Sequence, residues 1–495
     1  MKTLIPKVAA ASWLIAGLTV LVFVFAPADH RRYTMAPLGP FAFAFVQQWV
    51  PSCRPVAASP LCPWNWALGV FFLQVVGMPL LLLSFGASVG VLPYLPSPGA
   101  TNGAMALNVI AFATFAWSYQ RFSSRRNQGG EQSLVVGQHE DLLGRAGARL
   151  TLLYVAVGVF GLLLTFGGIA GISDYFNDPI AARELMLDLS STVRGVAAIV
   201  LRPFLGFAVV LLWCRWLDEH AVARSWFIRA LITLLFVAAL TLTNLTLGYN
   251  RGAFVVPLAA MAAVVLRKAD KSSVAVVALF VALVLVLAPA LALYRSGLLK
   301  LDDVAESTDW QEVVLERIDP IDYVQMYGSA PQYLGYLLEA TRCGASPRWG
   351  SVVVSSILSP VPVLGKAVRS GSGTAIYNNL IYGTSEIQDQ VVPFQGELFL
   401  DFHIVGVVAG YVLLGWVAHK LQGRFERSTS SLELYVWQYT AIWTSFLIFG
   451  SVSVVSQIVI YSFWPIYLYV YMSHLRTDRK PTRYLQQASQ NSIRP

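Results

Sequence analysis

The stretch Gly396-Glu-Leu-Phe-Leu-Asp-Phe-His-Ile-Val-Gly406 opens a long apolar run and carries the residues best suited to acid–base chemistry. Glu397 and Asp401 are four apart, so a helix places both carboxylates on one face. A like-charged neighbour is one way proteins tune a carboxylate into a general acid or base. The same carboxylates would equally serve as structural partners of a basic residue. His403 reads more readily as a hydrogen-bonded ring than as a catalytic one. Arg251, in Gly248-Tyr-Asn-Arg-Gly-Ala253, and Arg295, directly after Tyr294, sit at the ends of apolar runs. Guanidinium forks match phosphate oxygens, and ionisable side chains at membrane depth ordinarily line a cavity or pathway. The alternative for either arginine is a contact with lipid phosphates.

The chain that must position these groups has 495 residues, 56% of them hydrophobic and 13% charged, with a mean hydropathy of +0.59. A soluble domain is about 45–50% apolar and about 25% charged, so this polypeptide cannot cover itself with polar surface in water. A soluble enzyme, a disordered chain and a nucleic-acid-binding domain are excluded. The net charge of +8 is what multipass proteins accumulate to set their orientation. Four cysteines do not make a disulfide scaffold, and none has metal-ligand spacing. Cys53 and Cys62, flanked by prolines, suggest a disulfide-closed loop in an oxidising compartment.

Apolar runs at residues 8–26, 66–86, 103–119, 150–172, 196–213, 230–247, 253–266, 274–293, 398–418, 434–450 and 454–472 read as spanning helices. In hydrocarbon each run must satisfy its own backbone, which a helix does. The fold class is therefore all-α: a polytopic transmembrane helix bundle of about 11–12 spans. Residues 35–50 supply the optional twelfth pass and decide on which side the N-terminus lies. Basic residues concentrate around Arg121–Arg149, Arg215–Arg229, Arg267–Lys271, Lys420–Arg427 and Arg476–Arg483, which alternate with the spans and are expected in the cytoplasm. The expected division is residues 1–294 as N-terminal spans, 295–395 as one large helical extracytoplasmic loop, and 396–495 as C-terminal spans with a cytoplasmic tail.

That loop has its own pattern. Residues 302–316 are acidic, Tyr323 to Leu337 is aromatic and amphipathic, and Arg342, Arg348, Lys366 and Arg369 follow with no acid among them. A Pro-rich apolar segment, Ile357-Leu-Ser-Pro-Val-Pro-Val-Leu-Gly-Lys366, is followed by Tyr377-Asn-Asn-Leu-Ile-Tyr382. Loops beyond about 12–15 residues are uncommon unless functional. Basic groups beside apolar and aromatic ones suit a ligand with an anionic head and a lipid tail. Contact with lipid phosphates alone is the alternative.

Taken in order, these features resemble the Wzy-type O-antigen and exopolysaccharide repeat-unit polymerases. The matching stretches are the Gly-Tyr-Asn-Arg251-Gly turn, Tyr294-Arg295, the Pro-rich loop segment ending at Lys366, and Gly396 to Gly406 leading into Gly410 and Gly415. Where many members of that family carry Gly after the Phe of the last motif, this chain has His403, so the resemblance lends that position no catalytic role. The resemblance implies a multipass glycosyltransferase of the inner (cytoplasmic) membrane. It would polymerise undecaprenyl-diphosphate-linked glycan at the outer face, with membrane lipids and a chain-length regulator as further partners. It implies catalytic Glu397, Asp401 and Arg251, and substrate-binding Arg295, Arg348, Lys366, Arg369 and Tyr377. No cofactor and no metal are expected. The related O-antigen ligases share the layout. A transporter or flippase is the reading from another class, but it calls for internal repeats or charges near the bilayer midplane.

Overall fold

The computed structural model describes residues 4–50, 61–128, 147–177, 193–220, 226–245, 251–268, 320–341, 346–361, 364–384 and 390–478. Every regular element among them is helical. Among the described residues, seven helices are long and apolar enough to cross a membrane: Val8–Phe25, Pro63–Phe85, Pro98–Ser124, Arg149–Phe166, Gly195–Glu219, Phe394–Arg427 and Val452–Met472. Run 274–293 lies outside the described residues. Runs 230–247, 253–266 and 434–450 fall in the helices Trp226–Leu245, Arg251–Lys268 and Ser431–Phe446, whose apolar stretches are shorter or bounded by charge. Within residues 35–50 lies a helix of 12 residues, Leu38–Trp49. At 1.5 Å per residue it is about 18 Å long, short of the ~30 Å hydrocarbon layer.

The chain folds into two compact units, neither contiguous in sequence. The first unit comprises Met1–Gln132, Asp302–Arg427 and Trp437–Gln457. In chain order its elements are α1 (Leu4–Phe25), α2 (Leu38–Trp49), α3 (Pro63–Phe85, with a π-turn at Leu73–Gly77) and α4 (Pro98–Gln128). The described part of the long segment then gives α5 (Pro320–Tyr327), α6 (Pro331–Thr341), α7 (Ser351–Leu358), α8 (Leu364–Val368) and α9 (Gly373–Tyr382). The next two are α10 (Phe394–Arg427) and α11 (Val452–Ile458).

Small residues bring α10 and α4 close together. A side chain at Gly415 would begin 2.6 Å from the Phe115 carbonyl, and the Ser118 hydroxyl donates to the Val412 carbonyl at 2.6 Å. Buried amides add directional contacts that apolar packing lacks. Gln395 donates to Asn108 at 2.8 Å and accepts from the Tyr411 hydroxyl at 2.7 Å, and the Trp64 amide donates to Gln422 at 3.0 Å.

α10 is 34 residues long, about 51 Å at helical rise. That exceeds the ~30 Å membrane core, and the helix does not run straight. Phe402 (φ −140°, ψ 15°) and His403 (φ 53°, ψ −146°) break it, so Glu397 and Asp401 belong to a short arm ahead of the main shaft. The glycines beyond the break make room for the arm. A Cβ atom at Gly406 would lie 2.6 Å from the Leu398 carbonyl, and one at Gly410 would collide with a methyl group of the Leu398 side chain.

The second unit comprises Ser133–Leu301, Ser428–Val436 and Ile458–Pro495. Gly158 and Gly161, in the helix Gly147–Phe166, let it approach the chain at Leu201–Leu205, where Cβ atoms would meet Leu205 and Leu201 at 2.6 Å. Tyr154 donates its hydroxyl to the Pro465 carbonyl at 3.0 Å within a ring cluster of Phe204, Phe207 and Tyr469. Cys62, in the first unit, is a buried thiol; Cys53, its expected partner, lies outside the described residues.

Candidate functional site

The break in α10 organises the site. Ending the arm at Asp401 leaves helix carbonyls without their usual N–H donors, and the chain before α7 supplies replacements. The Arg348 amide donates to the Leu400 carbonyl at 3.2 Å, and the Trp349 amide donates to the Asp401 carbonyl at 3.1 Å. Trp349 (φ 54°) and Gly350 (φ 89°) are both in the left-handed region that this turn requires. The Asp401 carboxylate answers in kind. Its Oδ1 accepts the Val352 amide at 3.0 Å and its Oδ2 the Val353 amide at 2.8 Å. Asp401 is thus the N-terminal cap of α7, supplied from another helix, where a negative charge also meets the positive end of the helix dipole.

Glu397, one turn earlier, is fully buried. Its Oε1 accepts the Ser356 hydroxyl of α7 at 2.9 Å, and its Oε2 accepts the Val452 amide at the start of α11 at 2.8 Å. The Ser356 oxygen in turn accepts the Gly373 amide at the start of α9 at 3.0 Å. Gly373 has to be glycine, since a Cβ there would lie 2.5 Å from Glu397 Oε1 and 2.8 Å from its Cδ. Beside this carboxylate, the buried hydroxyls of Thr374, Ser451 and Ser453 form a triangle with edges of 2.7, 2.8 and 3.1 Å. Among the described residues, no arginine or lysine pairs with Glu397 or Asp401. A buried carboxylate is costly unless its oxygens are satisfied. Here backbone amides and hydroxyls do this in place of a counter-ion. The arrangement can hold a carboxylate in a fixed direction, with one hydroxyl, that of Ser356, against it.

The other expected site residues are spread over several settings. Arg348, Lys366 and Arg369 are exposed: Arg348 just before α7, Lys366 within α8 and Arg369 directly after it. Arg251 begins the helix Arg251–Lys268 in the second unit, with its side chain outside the described residues, and Arg295 lies wholly outside them. Tyr377, expected to bind substrate, is a core residue at 1% exposure, its hydroxyl donating to the Tyr333 carbonyl at 2.8 Å. Burial pushes its phenol well above the ordinary range and raises that of Tyr333 to about 12. Tyr336, packed edge-on against Tyr377, donates to the Leu380 carbonyl at 2.7 Å. Asn378 fixes the approach to α10 from inside, exchanging hydrogen bonds with the Gln390 backbone at 2.6 and 2.8 Å.

Sequence reasoning missed Ser356, Gly373, Thr374, Ser451 and Ser453. Small polar residues are ordinary at helix starts, and no spacing links them to Glu397. It also passed over Arg202, which is buried inside the candidate span Gly195–Glu219 just before Pro203. The signal for that one was present: an arginine within an apolar run. Compared with known protein families, curated proteins and solved structures, the chain matches none.

Proposed function

We propose that the chain polymerises lipid-linked oligosaccharide repeat units, transferring a growing glycan from undecaprenyl diphosphate to the next lipid-linked repeat at the outer face of the inner membrane. The observation that carries this reading is Glu397: a buried carboxylate without a cationic partner among the described residues, aimed by Ser356 and Val452. A carboxylate kept from water and from counter-charge is suited to take a proton from an acceptor hydroxyl. In the proposed step, that hydroxyl oxygen attacks the anomeric carbon of the donor sugar. Its proton passes to Glu397, with the Ser356 hydroxyl alongside. The bond from the anomeric carbon to the diphosphate breaks, and the diphosphate leaves with the electron pair.

Developing charge on a leaving diphosphate calls for fixed cations. Arg348, Lys366 and Arg369, exposed and in the same unit as Glu397, are the candidates. Asp401, whose oxygens are both engaged by α7, is assigned a positioning role in place of catalysis. Glu397 has no solvent exposure, so the acceptor reaches it only when α7 or the first turn of α9 gives way.

Electrophoresis of surface glycan from a strain carrying Glu397→Gln tests the proposal. Loss of long chains with accumulation of single repeats is the expected pattern. Long chains that are made but left unattached would indicate a ligase instead, and wild-type chain lengths would overturn the enzymatic reading.

A further inference from the structure

Helix α7 is built inside out. Its inward side carries Val352 and the polar Ser356, fully buried on Glu397, whereas its outward edge is Val354 and Ile357, at 54% and 45% exposure. A helix that turns a serine in and a valine–isoleucine edge out has the pattern expected beside lipid, not water. The residues around it continue that surface. Trp349 is 78% exposed and Leu364 57%, and the Trp349 ring meets Phe402 edge-on at a centroid distance of 6.3 Å. Phe402, Ile404 and Val405 are exposed in turn, at the point where α10 enters its membrane-length shaft. The apolar edge of α7 is therefore continuous, through Trp349 and Phe402, with the side of a candidate span. Arg348, Lys366 and Arg369, all exposed, accompany it without a single Asp or Glu between positions 348 and 369.

We infer that α7 and α8 form a membrane-interface element. Val354, Ile357 and Leu364 sit among the acyl chains, Trp349 lies at the boundary, and Arg348, Lys366 and Arg369 contact the phosphates of anionic phospholipids. Tryptophan and basic residues are the side chains that occupy that boundary, and each basic group adds attraction to an anionic surface. The inference does not rest on the glycosyl-transfer reading, and it holds on whichever side of the membrane α10 begins.

The full-length protein in vesicles of phosphatidylcholine with phosphatidylglycerol provides the test. In a background with the native cysteines replaced by Ala, Val354→Cys and Ile357→Cys carry a small fluorophore, with Phe160→Cys as the mid-span reference and Asp29→Cys as the exposed one. Lipids brominated on the acyl chain should quench positions 354 and 357 to within about twofold of position 160, as for a helix buried in the acyl boundary. Iodide in the water should quench them far less than position 29. Removing phosphatidylglycerol, or combining Arg348→Gln, Lys366→Gln and Arg369→Gln, should weaken the lipid quenching. The unaltered protein gives a second readout: a carbene precursor dissolved in the acyl chains should label the peptide containing residues 351–358. Iodide quenching equal to that at position 29 would overturn the inference. So would shielding from both quenchers with no carbene label, which would mean that protein covers this edge, or lipid quenching indifferent to anionic lipid.

Discussion

The Ser356 hydroxyl stands 2.9 Å from Glu397 Oε1 while accepting the Gly373 amide at 3.0 Å, so one small side chain joins α7, α9 and α10. Ser356→Ala strands a buried carboxylate oxygen and a buried amide at once. Its expected cost is about 1–3 kcal/mol, seen as a lower thermal midpoint in detergent. An unchanged midpoint would mean that the three helices do not depend on this hydroxyl.

Gly373→Ala forces a methyl group against Glu397, whose neighbours are helix starts with little freedom to retreat. Overpacking of this kind costs about 1–3 kcal/mol. Thermal melting reads it, and Glu397→Ala in the same chain should recover part of the loss. Independent, additive effects of the two changes would contradict the close approach.

The carboxylates differ in role, and paired variants separate them. Asp401→Asn turns an NH2 toward one of the two α7 amides that the carboxylate accepts, for about 1–3 kcal/mol of stability, and should leave glycan product in place. Glu397→Gln keeps the shape and should leave a folded protein without product. Gel analysis alongside melting distinguishes them. The reverse assignment, a stable inactive Asp401→Asn and an active Glu397→Gln, would exchange the roles.

His403 holds φ 53° with ψ −146°, a conformation suited to glycine. His403→Gly is expected to raise stability by about 0.5–2 kcal/mol as strain relief outweighs added chain entropy. His403→Val should lower it, because a β-branched residue tolerates positive φ least. A histidine more stable than glycine here would show that its ring, edge-on to Phe399, matters more than its backbone.

Burial raises the Tyr333 phenol from 10.0 to about 12. The unfolded chain therefore loses this proton first as pH rises. The associated stability is complete below about pH 10 and is lost between about pH 10 and 12. Tyr333→Phe should flatten that alkaline decline in a melting series against pH, and an equally steep decline in the variant would refute the assignment.

The spans were legible because a membrane helix must be apolar along its length, and candidate spans occur at seven of the expected runs. The break in α10 was not, since Phe402-His403 is no helix breaker by type; only its backbone and the compensating donors from Arg348 and Trp349 reveal it. Spacing placed Glu397 and Asp401 on one face, but their partners come from residues 352, 353, 356 and 452, distant along the chain. The burial of Tyr377 was not legible either, because a tyrosine among asparagines looks the same in sequence whether or not its hydroxyl meets a buried carbonyl.

Elongation of purified undecaprenyl-diphosphate-linked repeat by the purified protein bears most directly on the proposed chemistry. The wild type should yield a ladder of products spaced by one repeat, with release of undecaprenyl diphosphate, and folded Glu397→Gln should yield none. A ladder of equal yield from Glu397→Gln, or no ladder from a well-folded wild type given competent substrate, would contradict the account.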